Sequence, residues 1–312
     1  MSTQAVLFAT YNRLPNDTMP ETHFISVFTA PGDETRGGNP CPIVLGAESL
    51  STEDMRALAE QYGHESSFLI SSPLGSRADY GLRFFVPEHE MEMCGHATAG
   101  TTWLLNDLGR LEGGKQVTYQ TKSGLVHARI VEGENGRGVI AEVSQPRGWV
   151  KTVEDKDIRN QILEVLHITE EDLHPGLPIQ NACTSRAKTT VPLRDSSTLN
   201  RVNPDFSRVK AVCELLDSTG LYPYAVVEHG GEGTGTHVEA RQFPKASGYP
   251  EDAATGIAAA ALSWAIHDNG LLKDGTLLVR QGVAMGRPSE IRVRVEEDGC
   301  WIGGTARRME AL

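Results

Sequence analysis

"MEMCGHATAGTTWLLNDLG", residues 91–109, and "EDAATGIAAAALSWAIHDNG", residues 251–270, decide how this chain is read. Each stretch has the composition of a buried helix, rich in small residues and closed by a glycine where a helix should stop. At a shift of 161, Cys94 falls on Thr255, Gly95 on Gly256, Ala97 on Ala258 and Ala99 on Ala260. Trp103 then meets Trp264, Asp107 meets Asp268 and Gly109 meets Gly270, so six of the sixteen positions in 94–109 are identical. Alanine and glycine are common, and composition supplies part of that match. The paired tryptophan, aspartate and terminal glycine are harder to supply by chance. The pattern predicts an internal duplication into two similar α/β halves, against the alternative of two unrelated buried helices.

Outward from these helices, the chain alternates strand and helix signals. "HFISVFTA" (23–30) reads as a strand, followed by a Gly/Pro loop at 31–40 and a second strand, "CPIVLG". "STEDMRALAEQYG" reads as a helix capped by Ser51, with acids in its first turn and Gly63 at its end. "SSFLIS" and "YGLRFFVP" are strands leading to the Cys94 helix, and "QVTYQTKSG", "LVHARIVE" and "GVIAEVSQP" follow it. Helices are predicted at "KDIRNQILEVLHI" and "FSRVKAVCELLDSTG", and strands at "YPYAVVEH" and "HVEARQFP". Two runs near the end, "EIRVRVEEDG" and "CWIGGTARRM", alternate with the period of a half-buried sheet.

Composition narrows the class. With 39% hydrophobic and 22% charged residues the chain is globular rather than disordered or fibrous. A net charge of −12 without a basic patch argues against nucleic acid or an anionic membrane as partner. No apolar run approaches the ~20 residues of a membrane span. The first residues, up to about His23, lack the features of a secretory signal and read as a loose leader. Cys41, Cys94, Cys183, Cys213 and Cys300 are odd in number and scattered, without metal-ligand spacing. A disulfide framework or structural zinc is therefore not expected, and the cytoplasm is the expected location.

A helix N-terminus presents unpaired N–H groups and a partial positive charge, so it attracts anions without a lysine or arginine. Glycine in the first turn lets a ligand approach the backbone. Two such helices facing a cleft can hold a carboxylate and stabilise negative charge developing on the adjacent carbon, as proton abstraction requires. No dinucleotide, P-loop or metal motif is visible, so no cofactor and no metal are expected. Packing alone accounts for "ATAG" and "AAAA"; it does not account for Cys94 and His96 flanking the glycine.

Taken together, "GNP", "HESSF", "RFFVPEHEMEMCGHATAGTTWLL", "EDAATGIAAAAL" and "RQGVAMGRPSEI" resemble the PhzF-like (phenazine biosynthesis) family, relatives of diaminopimelate epimerase. The resemblance implies an α+β fold of two pseudo-symmetric halves, each a mixed β-sheet wrapped around a central α-helix, with the site between them. The halves are expected at 21–137 and 138–312, with the terminal strands free to pack back on the first. It also implies an isomerase working by acid/base catalysis without a cofactor, and a homodimer. By position, the family's acid/base glutamate falls on Glu65, its glycine and histidine on Gly95 and His96, and its aspartate on Asp252, followed by Gly256. The chain departs from the pattern at Ile257, where serine often follows "ATG", and at "HES" around the glutamate.

A carboxyl in a cleft can shuttle a proton if burial raises its pKa toward neutrality, which suits Glu65. His96 and Asp252 would orient the substrate, although His96 can equally be a core histidine and Asp252 a helix cap. Cys94, Thr255, Ile257 and Asn39 are expected to line the pocket with the two glycines, and Pro40, Gln281 and Arg287 to shape nearby loops. A thiol at a helix N-terminus has its pKa lowered, which keeps Cys94 open as a base. In the epimerase relatives two cysteines occupy the places of Cys94 and Thr255, so one of the pair is missing here. The leading expectation is an isomerase moving a proton on a small carboxylated substrate. The alternatives are a Cys94-dependent racemase or dehydratase, and a non-catalytic binding protein of the same fold.

Overall fold

The computed structural model describes residues 20–30, 37–111, 116–133, 138–228 and 235–310. The leader through residue 19 and loop residues 31–36 lie outside them. The chain begins with strands β1 (Glu21–Val27) and β2 (Asn39–Leu45), helix α1 (Thr52–Tyr62) and strand β3 (Ser66–Ser71). Next come β4 (Tyr80–Phe85), β5 (Glu90–Met91), α2 (Gly95–Asp107), β6 (Gln116–Thr121), β7 (Gly124–Glu132) and β8 (Val139–Pro146). The expected α1 signals hold: Ser51 and Asp54 form a reciprocal capping box, and Gly63 closes the helix at φ +67°.

After β9 (Trp149–Thr152) and α3 (Lys156–Leu166) come β10 (Gln180–Cys183), β11 (Ala187–Leu193), α4 (Ser196–Arg201) and α5 (Phe206–Leu215). Strands β12 (Gly220–Glu228), β13 (Thr236–Ala240) and β14 (Phe243–Pro244) lead to α6 (Gly256–Asp268). The final strands are β15 (Thr276–Gln281), β16 (Ser289–Glu296), β17 (Gly299–Gly304) and β18 (Ala306–Arg308).

The ladder repeats itself. From β1 through β2, β3, β4, β6, β7 and β8 the pairings are antiparallel, parallel, antiparallel, parallel, antiparallel, antiparallel. From β10 through β11, β12, β13, β15, β16 and β17 the same sequence of pairings recurs. The two series join through β8 and β17, while β18 extends the first beyond β1 and β9 extends the second beyond β10.

Each series curls round one of the two glycine- and alanine-rich helices. α2 packs against β1, β2, β3, β7 and β8, and α6 against β10, β11, β16 and β17. Both helices run thirteen residues from the shared glycine and end alike. Gly109 and Gly270 are left-handed, at φ +67° and +72°. Their N–H groups reach Asn106 and His267, and the next residues reach Leu105 and Ile266. Every residue of α6 from Gly256 to Ile266 is buried, which is why its sequence is apolar all round. The amphipathic helices lie outside: α1 covers Val44, Phe68 and Phe85, and α3 and α5 cover Val191, Leu221 and Phe243.

The structure differs from the sequence reading at several edges. β1 stops at Val27 because the buried Phe28 turns left-handed, at φ +62°. "HVEARQFP" divides at Arg241, whose guanidinium is bound by Glu251 and by the carbonyls of Leu199 and Val202. "CWIGGTARRM" divides at Thr305, which bonds Thr29 instead of continuing the ladder. Strands β9, β10, β11 and β15 and helix α4 were not expected. Among the described residues no helix is long and apolar enough to cross a membrane, and all five cysteines are free.

Candidate functional site

The N-termini of α2 and α6 meet at one cavity of 310 Å³, a volume suited to a small metabolite. Cys94, Gly95 and His96 line it from one helix, and Thr255, Gly256 and Ile257 from the other. Cys94 and Thr255 are the N-cap residues, and neither side chain bonds its own helix backbone. The glycines, which line the cavity as expected of an approach path to the backbone, also have a packing role. A Cβ on Gly95 or Gly256 would meet Cδ1 of Ile302 at 2.7 or 2.8 Å. Their bare sides face β17, so they let the strand come close beneath both helix termini.

Glu65 sits between Gly63, which ends α1, and the first residue of β3. Its side chain is 15% exposed and enters the cavity wall. Oε2 lies 3.0 Å from Nδ1 of His96 and accepts from Sγ of Cys94 at 3.1 Å. Oε1 accepts the Tyr249 hydroxyl at 3.0 Å. Cys94 Sγ and His96 Nδ1 are themselves 3.1 Å apart, so sulfur, nitrogen and oxygen form a closed triangle. His96 is 4% exposed, and its Nε2 has no partner among the described residues.

Burial works to raise the Glu65 pKa, but the His96 hydrogen bond and charge, with the bonds from Cys94 and Tyr249, outweigh it and hold the carboxyl at about 2. Burial opposes a charge on His96, yet Cys94, Cys41 and Glu65 hold it well above the ordinary histidine range. The resting pair is carboxylate and imidazolium. Cys94 behaves contrary to the helix-terminus expectation: burial and the Glu65 charge push its thiol up to about 12. One donor atom from each of Glu65, Cys94 and His96 falls within 4.8 Å of the others, the donor set of a metal site. To serve in it, Cys94 would have to give up its thiol proton, since ligation requires the thiolate.

Asp252 faces Glu65 from the other half. Its Oδ1 accepts from Asn39 Nδ2 at 2.8 Å and its Oδ2 from the Thr255 hydroxyl. It does not cap the α6 backbone. Burial, and then the Glu65 charge, raise its pKa to about 6. Two carboxyls in one cavity are thus pushed to opposite ends of the scale. Asn39 lies behind this wall and also donates to the Ala254 carbonyl at 2.9 Å. Gln281, outside the lining, ties Asp252 O at 2.7 Å to the Tyr222 hydroxyl at 2.8 Å. Arg287 and Pro40 do not line the cavity.

Among the lining residues that the sequence reading did not name are Tyr249, Lys188 and Gln242. Tyr249 stands in "ASGYPED", whose loop composition hides a buried hydroxyl. Lys188 interrupts the strand run "AKTTVPL", and a lone cation inside such a run was the available signal.

The fold agrees with the comparisons. The PhzC-PhzF family, described as phenazine biosynthesis-like protein, matches residues 25–309. The "Uncharacterized isomerase YddE" of Escherichia coli K12 is 30% identical over 297 residues, covering 92% of this chain and 95% of that protein. The trans-2,3-dihydro-3-hydroxyanthranilate isomerase of Pseudomonas aeruginosa is 27% identical over 278 residues, covering 89% and 92%. A crystal structure of a Bacillus anthracis phenazine biosynthesis protein of the PhzF family superposes with a TM-score of 0.79 at 26% identity, covering 93% of this chain and 98% of that one. With two helix termini on one cavity and relatives that are isomerases along nearly their whole length, the chain belongs to the PhzC-PhzF family as an isomerase.

Proposed function

We propose that this isomerase moves a proton on a small carboxylated substrate, with Glu65 taking the proton from one carbon and returning it to another. The observation that carries the reading is the Glu65 carboxylate, fixed on both oxygens by His96, Cys94 and Tyr249 at a cavity wall. The helix termini of α2 and α6 supply positive potential for the substrate carboxylate. When the C–H bond breaks, its electron pair passes into the unsaturated or carboxylated system of the substrate, and the proton goes to Glu65. A pKa of about 2 makes Glu65 a weak base in the empty cavity. An anionic substrate brings a like charge and expels water, and both raise the carboxyl's proton affinity as the reaction needs.

His96, sharing its proton across 3.0 Å, keeps the carboxylate aimed and can neutralise it in turn. Asp252, held by Asn39 and Thr255, orients the substrate from the opposite wall. The trans-2,3-dihydro-3-hydroxyanthranilate named for the Pseudomonas relative is the first compound to try. A thiol-dependent racemase is the runner-up; Thr255 in place of a second thiol and the raised Cys94 pKa weigh against it. The reading includes a cytoplasmic homodimer that works without a cofactor, as the family resemblance implies. The test is to incubate the enzyme in deuterium oxide with small cyclic unsaturated, amino and hydroxy acids. Carbon-bound deuterium should appear with the wild type and vanish with Glu65→Gln; unchanged incorporation in the variant removes Glu65 from the mechanism.

A further inference from the structure

The cavity wall away from the reacting cluster carries polar groups that make no hydrogen bond among the described residues. Lys188, on β11, is 6% exposed and lines the cavity, yet no carboxylate or other hydrogen-bond partner meets its ammonium among the described residues. Gln242 is fully buried in the same lining, and its amide nitrogen and amide oxygen have no partner among the described residues. Its amide is wedged against Gly220, where a Cβ would come within 2.2 Å of Nε2. The side chain is therefore held by packing. Buried polar groups without partners are rare, because each costs its full desolvation.

The repeated topology sharpens the point. Asn39 opens β2 and Lys188 stands near the start of β11, the corresponding strand of the second series. Asn39 uses its amide on Asp252, whereas the Lys188 ammonium has no hydrogen-bond partner among the described residues, and the charges of Asp252 and Glu65 act on it from across the cavity. Arg186, exposed, and Lys245, half-buried, line the same side. Burial, and then the Arg186 charge, lower the Lys188 pKa to about 8, which leaves most of the ammonium charged at neutral pH.

We infer that Lys188, with Arg186 and Lys245 beside it in the lining, forms a second anion subsite that receives a carboxylate on the substrate, in addition to the one held at the helix termini. The substrate class is then a small dicarboxylate with its reacting carbon between two anchored ends. This rests on the proton-transfer reading for the placement of the first carboxylate, but its binding test is independent of turnover. A compound with one carboxylate, such as the anthranilate-type acid of the Pseudomonas relative, would leave Lys188 unmatched.

The experiment is calorimetric titration of the full chain with malonate, succinate, glutarate and adipate, each beside the mono-amide of the same length. At least one dicarboxylate should bind the wild type tenfold or more tightly than its mono-amide. Lys188→Met should remove that preference and leave mono-amide affinity within about twofold. The same variant should melt at a higher temperature than the wild type, since it deletes an unpaired buried charge, which separates lost binding from lost folding. Lys188→Gln serves as a second variant with the same expected loss. The inference is overturned if no dicarboxylate is preferred over its mono-amide, or if Lys188→Met weakens both members of a pair equally, which would make Lys188 the holder of a single carboxylate. A Glu65→Gln variant that still exchanges deuterium would sink the proton-transfer reading while leaving these affinities to be judged by themselves.

Discussion

Glu65 Oε2 and His96 Nδ1 lie 3.0 Å apart, joining the loop after α1 to the first turn of α2 and fixing a buried charge pair at the mouth of that helix. Glu65→Gln keeps the volume but replaces one of the two accepting oxygens with a donating NH2, and it cannot carry a proton. Turnover should fall by about 10²–10⁴-fold, the usual worth of a general acid–base group. Deuterium exchange on any accepted substrate measures it, with circular dichroism as the control for folding.

Cys94→Ser should cost less than tenfold in turnover. Serine preserves the volume at the N-cap and can donate to Glu65 as the thiol does. A thiol pushed up to about 12 should also react sluggishly with iodoacetamide at pH 7.5, since the thiolate is the reacting form. Rapid alkylation with loss of activity, relieved by substrate, would make the thiol the base.

Asp252 gives stability a pH dependence of definite sign. Its folded pKa, about 6, stands above the ordinary 3.8, so the folded chain holds this proton more tightly than the unfolded one. The contribution is complete below pH 3.8 and is lost as pH rises through 6. At 1.36 kcal/mol per unit the loss is about 3 kcal/mol. Glu65, held at about 2, acts in the opposite sense, and its window lies below pH 4.5. Urea denaturation of wild type and Asp252→Asn from pH 4 to 7 should show the variant gaining on the wild type throughout. A constant gap would mean that Asp252 is not held in its acid form.

Gly95→Ala should destabilise by about 1–3 kcal/mol through its clash with Ile302 Cδ1, in the manner of an overpacked core. Ile302→Val removes that carbon. The double variant should therefore recover more than half of the loss, and additive effects in the thermodynamic cycle would show that the close approach is not the cause.

Light scattering at micromolar concentration should give twice the chain mass, as the family resemblance leads us to expect of a two-fold dimer. A monomer would contradict it.

The duplication was legible because both central helices place glycine, alanine, tryptophan, aspartate and a final glycine at the same offsets, and the glycines perform matching tasks. Gly109 and Gly270 make the same left-handed exit. Residues 180–193 were illegible for the opposite reason. "QNACTSRAKTTVPL" is polar and lacks the alternation of a half-buried strand, yet Gln180, Lys188, Thr189 and Thr190 are all buried there. Burial of polar strand residues depends on partners far away in sequence, such as Asn269, which donates to Gln180. Glu65, His96 and Asp252 could be found from family pattern. Tyr249 and Gln242 reach the cavity only through tertiary packing, and no local pattern marks them. The Cys94 pKa was misjudged because a helix terminus lowers it only where the thiol keeps its solvation.

Both edges of the sheet around α2 are closed from far along the chain: β18 lies on β1, pairing Ile25 with Arg308, and β17 lies on β8. A ribosome delivers β1 and α2 long before it delivers either closing strand. Until residues 299–308 emerge, the nascent first half carries two open strand edges, and Gly95 has no Ile302 beneath it. The reacting cluster therefore cannot ripen on a partly made chain. Such a late closure makes folding slow and leaves the unfinished chain prone to stick edge to edge. Synthesis arrested before residue 299 should yield an insoluble fragment in place of a half-active domain.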